Sequence, residues 1–217
     1  MAVLGGRRLL VTAAIVVVAL LGLDFGAKAI AQSELASRAK SASGAQSASA
    51  SITGFPFLWN LLGRGSISGV HLHLSEVPAG PLHLSTVDVQ LTGTHIDRGA
   101  LFSHRQVHVS SIDSGTASVT VTEADLSAAV GDAVSLPGQG RVLVDVAGRH
   151  VAARVRVLGD RLLVLEVDGV PILQSDLTVN HLVPATTLAV SVGIGQLTVS
   201  CTVAPVPGSV VQAVAGV

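Results

Sequence analysis

Beyond its first third, the chain alternates apolar and polar residues with a period of two. The segments SISGVHLHLSEV (66–77) and GPLHLSTVDVQLTG (80–93) show this alternation most plainly. Successive side chains of a strand point to opposite faces, so the pattern is typical of strands with one buried and one exposed face. Three further strands are predicted near 142–146, 151–157 and 163–167. Because tight turns join these three strands, an antiparallel meander is favoured over parallel strand–helix–strand units.

A short helix is predicted to interrupt the strands at residues 122–131 (TEADLSAAVG). Thr122 followed three residues later by Asp125 predicts an N-terminal capping box, and Gly131 predicts the end of the helix. The composition of residues 113–115, Asp-Ser-Gly, predicts a hairpin turn. The last strands are predicted near 176–180, 187–193 and 195–204.

One predicted strand is apolar at consecutive positions, from Leu162 to Leu165. A sheet with a single buried face should carry polar residues on its other face. Two explanations stay open at this point. Either a helix or a second sheet covers both faces of the strand, or one face lines an apolar cavity.

The N-terminus has the features of an export leader. Arg7 and Arg8 precede the apolar run Leu9–Leu23, and residues 29–31 (Ala-Ile-Ala) provide a small-x-small cleavage site. The run would rise about 22 Å as a helix, less than the roughly 30 Å of a bilayer's hydrocarbon core. Residues 1–31 are therefore predicted to be either a cleaved signal peptide or a retained N-terminal membrane anchor. Both alternatives place the rest of the chain outside the cytoplasm, because the arginines hold the N-terminus inside.

Residues 32–217 are predicted to form a single α+β domain. The segment DFGAKAIAQSELASRAK (24–40) shows helical spacing of its apolar residues. The Ser/Ala-rich residues 41–51 are of low complexity and are compatible with a helix end, a linker or a weak strand. The sequence therefore predicts a long N-terminal helix followed by a mainly antiparallel sheet.

The segment ITGFPFLWNLLGRG (52–65) holds two of the four Phe residues and the single Trp of the chain. Two interpretations are compatible with it. In the first, the phenylalanines fill the end of the core above a helical turn of three leucines. In the second, the segment borders a lipid-sized opening with Trp59 at a membrane interface, where its apolar ring can be buried while its N–H stays hydrated. Arg64 would then meet a lipid phosphate through two parallel hydrogen bonds. The predicted lipid-binding residues are Phe55, Phe57, Leu58, Trp59, Leu61, Leu62 and Arg64.

Composition and motifs argue against several other functions. A net charge of −1 argues against nucleic acid binding, which requires a clustered basic face. The single Cys201 excludes an intramolecular disulfide and any multi-cysteine metal site. His71, His73 and His83 have Glu76 as their only nearby carboxylate in the sequence, which does not make a convergent ligand set. The sequence also lacks a nucleophile motif and a phosphate-binding glycine loop. We therefore expect no enzyme activity, no metal and no cofactor.

The segment 52–65, with its clustered aromatic residues, and the segments around it resemble a known family. The leader that ends near Asp24, the Ala-rich helix after it and GFPFL at 54–58 are similar to the signature of actinobacterial LmeA-type phospholipid-binding proteins. That family is named for a lipomannan elongation factor. The later segment DSGTASVTVTEADLSAAV resembles the same family, and the likeness extends from residue 7 to about residue 204.

The resemblance implies a long helix packed against a curved antiparallel sheet, as in tubular lipid-binding (BPI-like) folds, with an apolar cavity for acyl chains. It implies a non-enzymatic phospholipid-binding or lipid-transfer protein of the periplasm or cell envelope that acts at the membrane surface. Phosphatidylinositol-type lipids and a contribution to lipoglycan assembly belong to the same expectation. The alternative function is a structural or interaction domain at the membrane, with a filled core and no ligand.

Overall fold

The computed structural model of the protein describes residues 3–97, 99, 109–158, 162–176 and 188–206. Its helices are α1 (Val3–Ser43) and α2 (Glu123–Val130), with a π-helical turn at Trp59–Arg64. The strands are β1 (Ser47–Thr53), β2 (Ser66–Ala79), β3 (Leu82–Ile96), β4 (Val109–Thr122), β5 (Val134–Gly138), β6 (Arg141–Val146), β7 (Arg149–Leu158), β8 (Leu162–Val167), β9 (Val170–Asp176), β10 (Leu188–Val192) and β11 (Gln196–Val203).

The strands form two open antiparallel sheets. One sheet has six strands in the order β1-β2-β3-β4-β11-β10, and the other has five in the order β5-β6-β7-β8-β9. The predicted α+β class and the predicted meander, which corresponds to β6–β8, are confirmed. Within the described residues neither sheet closes on itself. The curved sheet and the apolar cavity stay predictions of the resemblance.

The register of the six-stranded sheet confirms the period-two interpretation. Ser49, His73, Asp88, Ser118 and Ser200 are successive cross-strand partners, so they form one polar row across the sheet. The neighbouring row lies on the opposite face because consecutive residues of a strand alternate. That apolar row consists of Ala48, Leu74, Val87, Val119, Val199 and Val190.

The main core lies between the two sheets and includes α2. Its buried residues come from β2, β3, β4 and β11 of the first sheet and from all five strands of the second. Val164 and Leu165 are adjacent in β8 and both are buried, with 1% and 2% of their surface exposed. Both faces of β8 are therefore shielded from solvent at these two positions.

Residues 41–51, for which a helix end, a linker or a weak strand was predicted, contain the end of a helix and most of a strand. Helix α1 runs to Ser43, and the Ser/Ala-rich residues after it form β1, the edge strand of the larger sheet. Gly44 makes the bend with a φ of 68°, a backbone conformation that glycine adopts without steric cost. Helix α1 packs along β1, so the low-complexity segment is an ordered strand under a helix.

One predicted local structure is wrong. Residues 113–115 do not form a hairpin turn, because β4 continues through them from Val109 to Thr122. Gly115 instead leaves room for the side chain of its cross-strand partner Leu91, because a Cβ there would lie 3.2 Å from Leu91 Cδ2. Strand β9 (Val170–Asp176) overlaps the strand predicted near 176–180 only at Asp176. Residues 177–180 lie outside the described residues, so the rest of that strand stays a prediction.

Helix α2 has the predicted capping box. The Asp125 backbone N–H donates to Thr122 Oγ1 at 3.3 Å, and the Thr122 backbone N–H donates to Asp125 Oδ2 at 3.1 Å. Gly131 ends the helix with a left-handed φ of 85°. The Ser85 hydroxyl from β3 also donates to Asp125 Oδ2, so the same carboxylate joins the helix to the larger sheet.

Acid is expected to weaken this cap. Burial by itself raises the pKa of the Asp125 carboxyl, but hydrogen bonds from Ser85 and Thr122 outweigh burial and hold that pKa below its ordinary value of 3.8. A lowered pKa in the folded state means that the carboxylate stabilises the fold above pH 3.8 and that this stability is lost as the pH falls further. Asp125→Asn should therefore cost about 1 kcal/mol at neutral pH and less near pH 3.

Denaturant unfolding of the wild type and Asp125→Asn across this pH range measures the effect. Asp132→Asn, at an exposed position just after α2, is the matched control and should change stability little at any pH. A stability difference for Asp125→Asn that is the same at pH 3 and pH 7 would contradict the assignment.

Candidate functional site

The aromatic segment, residues 54–65, is a compact excursion between β1 and β2. It begins at Gly54 with a φ of 112° and ends at Gly65 with a φ of 67°. Residues other than glycine are strained at such positive φ angles, which explains why a glycine stands at each end of the segment. A Cβ on Gly54 would also lie 3.0 Å from Ser68 Oγ. The chain between them makes a short helix whose last part is the π-helical turn Trp59–Arg64.

A buried carboxylate of α1 holds the aromatic segment in place. Asp24 Oδ2 accepts a hydrogen bond from the Phe57 backbone N–H at 2.9 Å, and Asp24 Oδ1 accepts one from the Leu58 backbone N–H at 2.6 Å. These N–H groups lie in the first turn of the short helix, where no intrahelical acceptor exists and a negative charge is favourable. Asp24 is only 5% exposed. It therefore caps a helix that begins more than thirty residues later in the chain.

An apolar groove lies between α1 and the aromatic segment. Phe25 of α1 stacks on Phe55, with ring centroids 6.1 Å apart. The groove has a volume of about 660 Å³ and is open to solvent. Among the described residues no helix is both long enough and apolar enough to cross a membrane. The residues that line the groove are Leu20, Leu21, Asp24, Phe55, Pro56, Leu58, Trp59, Leu62 and Gly63.

The aromatic residues separate into one core side chain and two surface side chains. Phe57 is 5% exposed, whereas Phe55 is 60% and Trp59 65% exposed. Leu58 and Leu61 are half-buried, and Leu62 and Arg64 are exposed. The core interpretation therefore describes Phe57 but not Phe55, and the helical turn of leucines is only partly packed beneath. The role of these residues in lipid binding stays a prediction.

The groove gathers exposed apolar side chains on one surface. Large hydrophobic residues are normally exposed singly, whereas a continuous exposed group indicates a binding surface. We call this group the apolar patch; it consists of Leu20, Leu21, Phe25, Phe55, Trp59 and Leu62, all of them exposed.

The side of the groove that α1 forms was not predicted from the sequence. Leu20, Leu21 and Asp24 were assigned to a leader, and nothing linked them to residues 54–65. A carboxylate placed directly after a long apolar run is unusual, because burying an unpaired charge is costly. That position was the available signal for a specific partner of Asp24.

The histidines of β2 have a partner that the sequence analysis overlooked. His73 Nδ1 lies 2.7 Å from Asp88 Oδ1, and His71 Nε2 lies 3.4 Å from the same oxygen. The expectation that Glu76 is the only nearby carboxylate was therefore wrong, because the β2–β3 register places Asp88 opposite His73. In the part of the chain that the structure describes, no group of three or more His, Cys, Asp or Glu side chains could hold a metal ion.

We expect metal chelation to leave the stability of the protein unchanged. Two imidazoles that share one carboxylate on the polar face of a sheet do not supply the converging ligands that zinc requires. Thermal melting with and without EDTA checks this. A melting temperature that falls in chelator and recovers with added zinc would contradict it, and His71→Ala would then show whether β2 carries the site.

Cys201 lies in β11 on the apolar face of the larger sheet, opposite Ala117. It is buried, and burial raises the pKa of its thiol. A raised pKa disfavours the thiolate, the nucleophilic form. Cys201 is thus a buried thiol that burial keeps in its less reactive, protonated form.

Comparison with known proteins identifies the family of the chain. No curated protein and no solved structure gives a match. A family model described as LmeA-like phospholipid-binding matches residues 22–216, which include Asp24, the aromatic segment and both sheets. The chain therefore belongs to the LmeA-like phospholipid-binding family.

Proposed function

We propose that the groove between α1 and the aromatic segment binds the acyl chains of a phospholipid at a membrane surface. The single observation that carries the proposal is the apolar patch, which surrounds an open groove of about 660 Å³. Ligand sites in proteins typically have volumes of about 300–1,000 Å³ and mainly apolar walls. Membership of a phospholipid-binding family supports an acyl chain as the occupant.

The edge of the groove suits the polar end of the same ligand. Arg64 is exposed at the end of the π-helical turn, and a guanidinium matches a phosphate with two parallel hydrogen bonds. Trp59 lies one turn before it with its ring largely exposed. An aromatic ring beside a cation is the combination that favours the level of lipid headgroups.

The proposed role extends to the cell envelope. The leader-like N-terminus supports export, with the apolar run Leu9–Leu23 associating with the membrane. Phosphatidylinositol-type lipid, lipid transfer and lipoglycan assembly in an actinobacterial envelope are the finer parts of this proposal, and they rest on the resemblance to LmeA-type proteins. The protein acts in it by binding and not by catalysis.

Quenching of Trp59 by lipid tests the proposal directly, because Trp59 is the only Trp of the chain. Phospholipids with brominated acyl chains should quench its fluorescence, and unbrominated lipid should shift its emission to the blue. The Trp59→Phe/Ile194→Trp variant is the matched control. Ile194 is also exposed, but it precedes β11 at the opposite end of the larger sheet.

Quenching of Trp59 without quenching of the control variant supports the groove as the lipid site. Equal quenching in both proteins would indicate unspecific adsorption and would contradict it. No quenching in either protein would favour the alternative, a structural or interaction domain at the membrane that holds no ligand.

A further inference from the structure

The hydrogen bonds of Asp24 have a consequence for the fate of the leader. Residues 29–31 resemble a signal-peptide cleavage site, and cleavage there would release everything before Gln32. Asp24, Phe25 and the groove wall at Leu20 and Leu21 would then leave the protein. The Phe57 and Leu58 N–H groups would lose the carboxylate that accepts from both of them.

The backbone at the predicted cleavage site is also in an unsuitable form. Helix α1 runs without a break from Val3 to Ser43, so residues 29–31 lie within it. Ala31 is half-buried on the same side of α1 as Asp24, Ala27, Leu35 and Ala39. Positions at these spacings of three and four share one helix face, and α1 lies along β1. The site is therefore held in a helix, with Ala31 half-buried and Ala29 and Ile30 exposed, whereas proteases preferentially cut exposed loops.

The extent of the family match points in the same direction. The match begins at residue 22, two residues before Asp24, and so includes the whole stretch between Asp24 and Ala31. Two independent observations therefore make this stretch part of the domain: the hydrogen bonds that Asp24 accepts, and its inclusion in the family match.

We propose that residues 20–31 are a permanent part of the mature protein and that Asp24 is the positioning residue that fixes the aromatic segment on the retained helix. The apolar run Leu9–Leu23 ends directly before Asp24. Retention of residues 20–31 thus keeps Phe55 and Trp59 beside the end of the apolar run. The aromatic residues then have a fixed orientation relative to the surface with which the run associates. This proposal goes beyond the proposed function, because its tests measure where the mature chain begins and whether α1 contacts the aromatic segment. Neither test measures lipid binding.

The mass of the exported wild-type chain is the first test. A membrane-impermeant amine reagent added to intact cells labels only chains outside the cytoplasm, through Lys28, Lys40 or the N-terminal amine. Intact mass and N-terminal mapping of the labelled chains should show residues 20–31 still attached. Labelled chains that begin at Gln32 would overturn the proposal, whether or not they bind lipid.

A crosslink between helix and segment is the second test. Cys201 is buried, so engineered thiols react against a low background. A short thiol crosslinker should join the Phe25→Cys/Phe55→Cys variant within one chain, because these rings are stacked. The matched control, Ile30→Cys/Phe55→Cys, places the first thiol on an exposed residue more than one helical turn away and should crosslink at least tenfold more slowly. Equal crosslinking rates would show that the segment is not fixed on α1 and would contradict the role of Asp24.

Discussion

Replacing Asp24 by alanine is expected to lower the free energy of unfolding by about 2–4 kcal/mol. The change removes the acceptor of two backbone N–H groups, and the Phe57 N–H is buried together with its side chain. An unsatisfied buried donor costs roughly 1–3 kcal/mol, which exceeds the small gain in helix propensity that alanine brings to α1. Denaturant unfolding, followed by the emission of Trp59, measures both the stability and the environment of the aromatic segment.

Two further variants make the Asp24 result specific. Asp24→Asn keeps one acceptor oxygen and should cost less than Asp24→Ala. Glu34→Ala, on an exposed part of the same helix, removes only an exposed ion pair with Arg38 and should stay within about 0.5 kcal/mol of the wild type. If Asp24→Ala is as stable as the wild type with unchanged Trp59 emission, the carboxylate does not hold the segment.

Trp59→Ala is expected to weaken binding to phospholipid vesicles by more than about tenfold while leaving the melting curve close to that of the wild type. The ring is 65% exposed, so its loss should cost little folding energy. Insertion of about 100 Å² of its surface into lipid would contribute roughly 2.5 kcal/mol to binding. Vesicle flotation or sedimentation with the full chain measures the affinity, and calorimetry measures the stability.

Matched variants separate the surface from the core in this experiment. Ile194→Ala removes an exposed apolar side chain at the far end of the larger sheet and should leave vesicle binding unchanged. Phe57→Ala removes a buried side chain and should cost about 3–5 kcal/mol of stability. An unfolded Trp59→Ala protein whose surviving fraction binds lipid normally would show that Trp59 belongs to the core and that the groove is not the lipid site.

Local patterns allowed much of the fold to be predicted from the sequence. Alternation identified β2 and β3, and the spacing of Thr122 and Asp125 identified the start of α2, because each signal depends only on neighbouring residues. The hairpin at 113–115 was a wrong prediction for the same reason. Its composition is that of a turn, and only the neighbouring strand shows that Gly115 leaves room for the Leu91 side chain.

The candidate site was half predictable. GFPFL marks the aromatic segment because glycine, proline and clustered aromatic residues are conspicuous in a chain with few aromatics. The other half depends on contacts between distant residues, which periodicity does not encode. Asp24 and Phe57 are 33 residues apart in the chain, and His73 meets Asp88 only through the register of a hairpin. Sequence signals thus located the segment and missed what holds it.

The low-complexity strand β1 sets the separation between α1 and the larger sheet. Ala48 and Ala50 lie on its apolar face, and Ala39 of α1 packs against the same core. Small side chains on both elements let the helix lie close to the strand, and interiors this closely packed tolerate little added volume. Ala50→Leu should therefore tilt or lift α1, at a typical cost of about 1–3 kcal/mol, and carry Asp24 away from the N–H groups it accepts from. The repetitive serines and alanines of residues 47–51 thereby act as a spacer of defined thickness, through which a substitution remote from the groove can change its width.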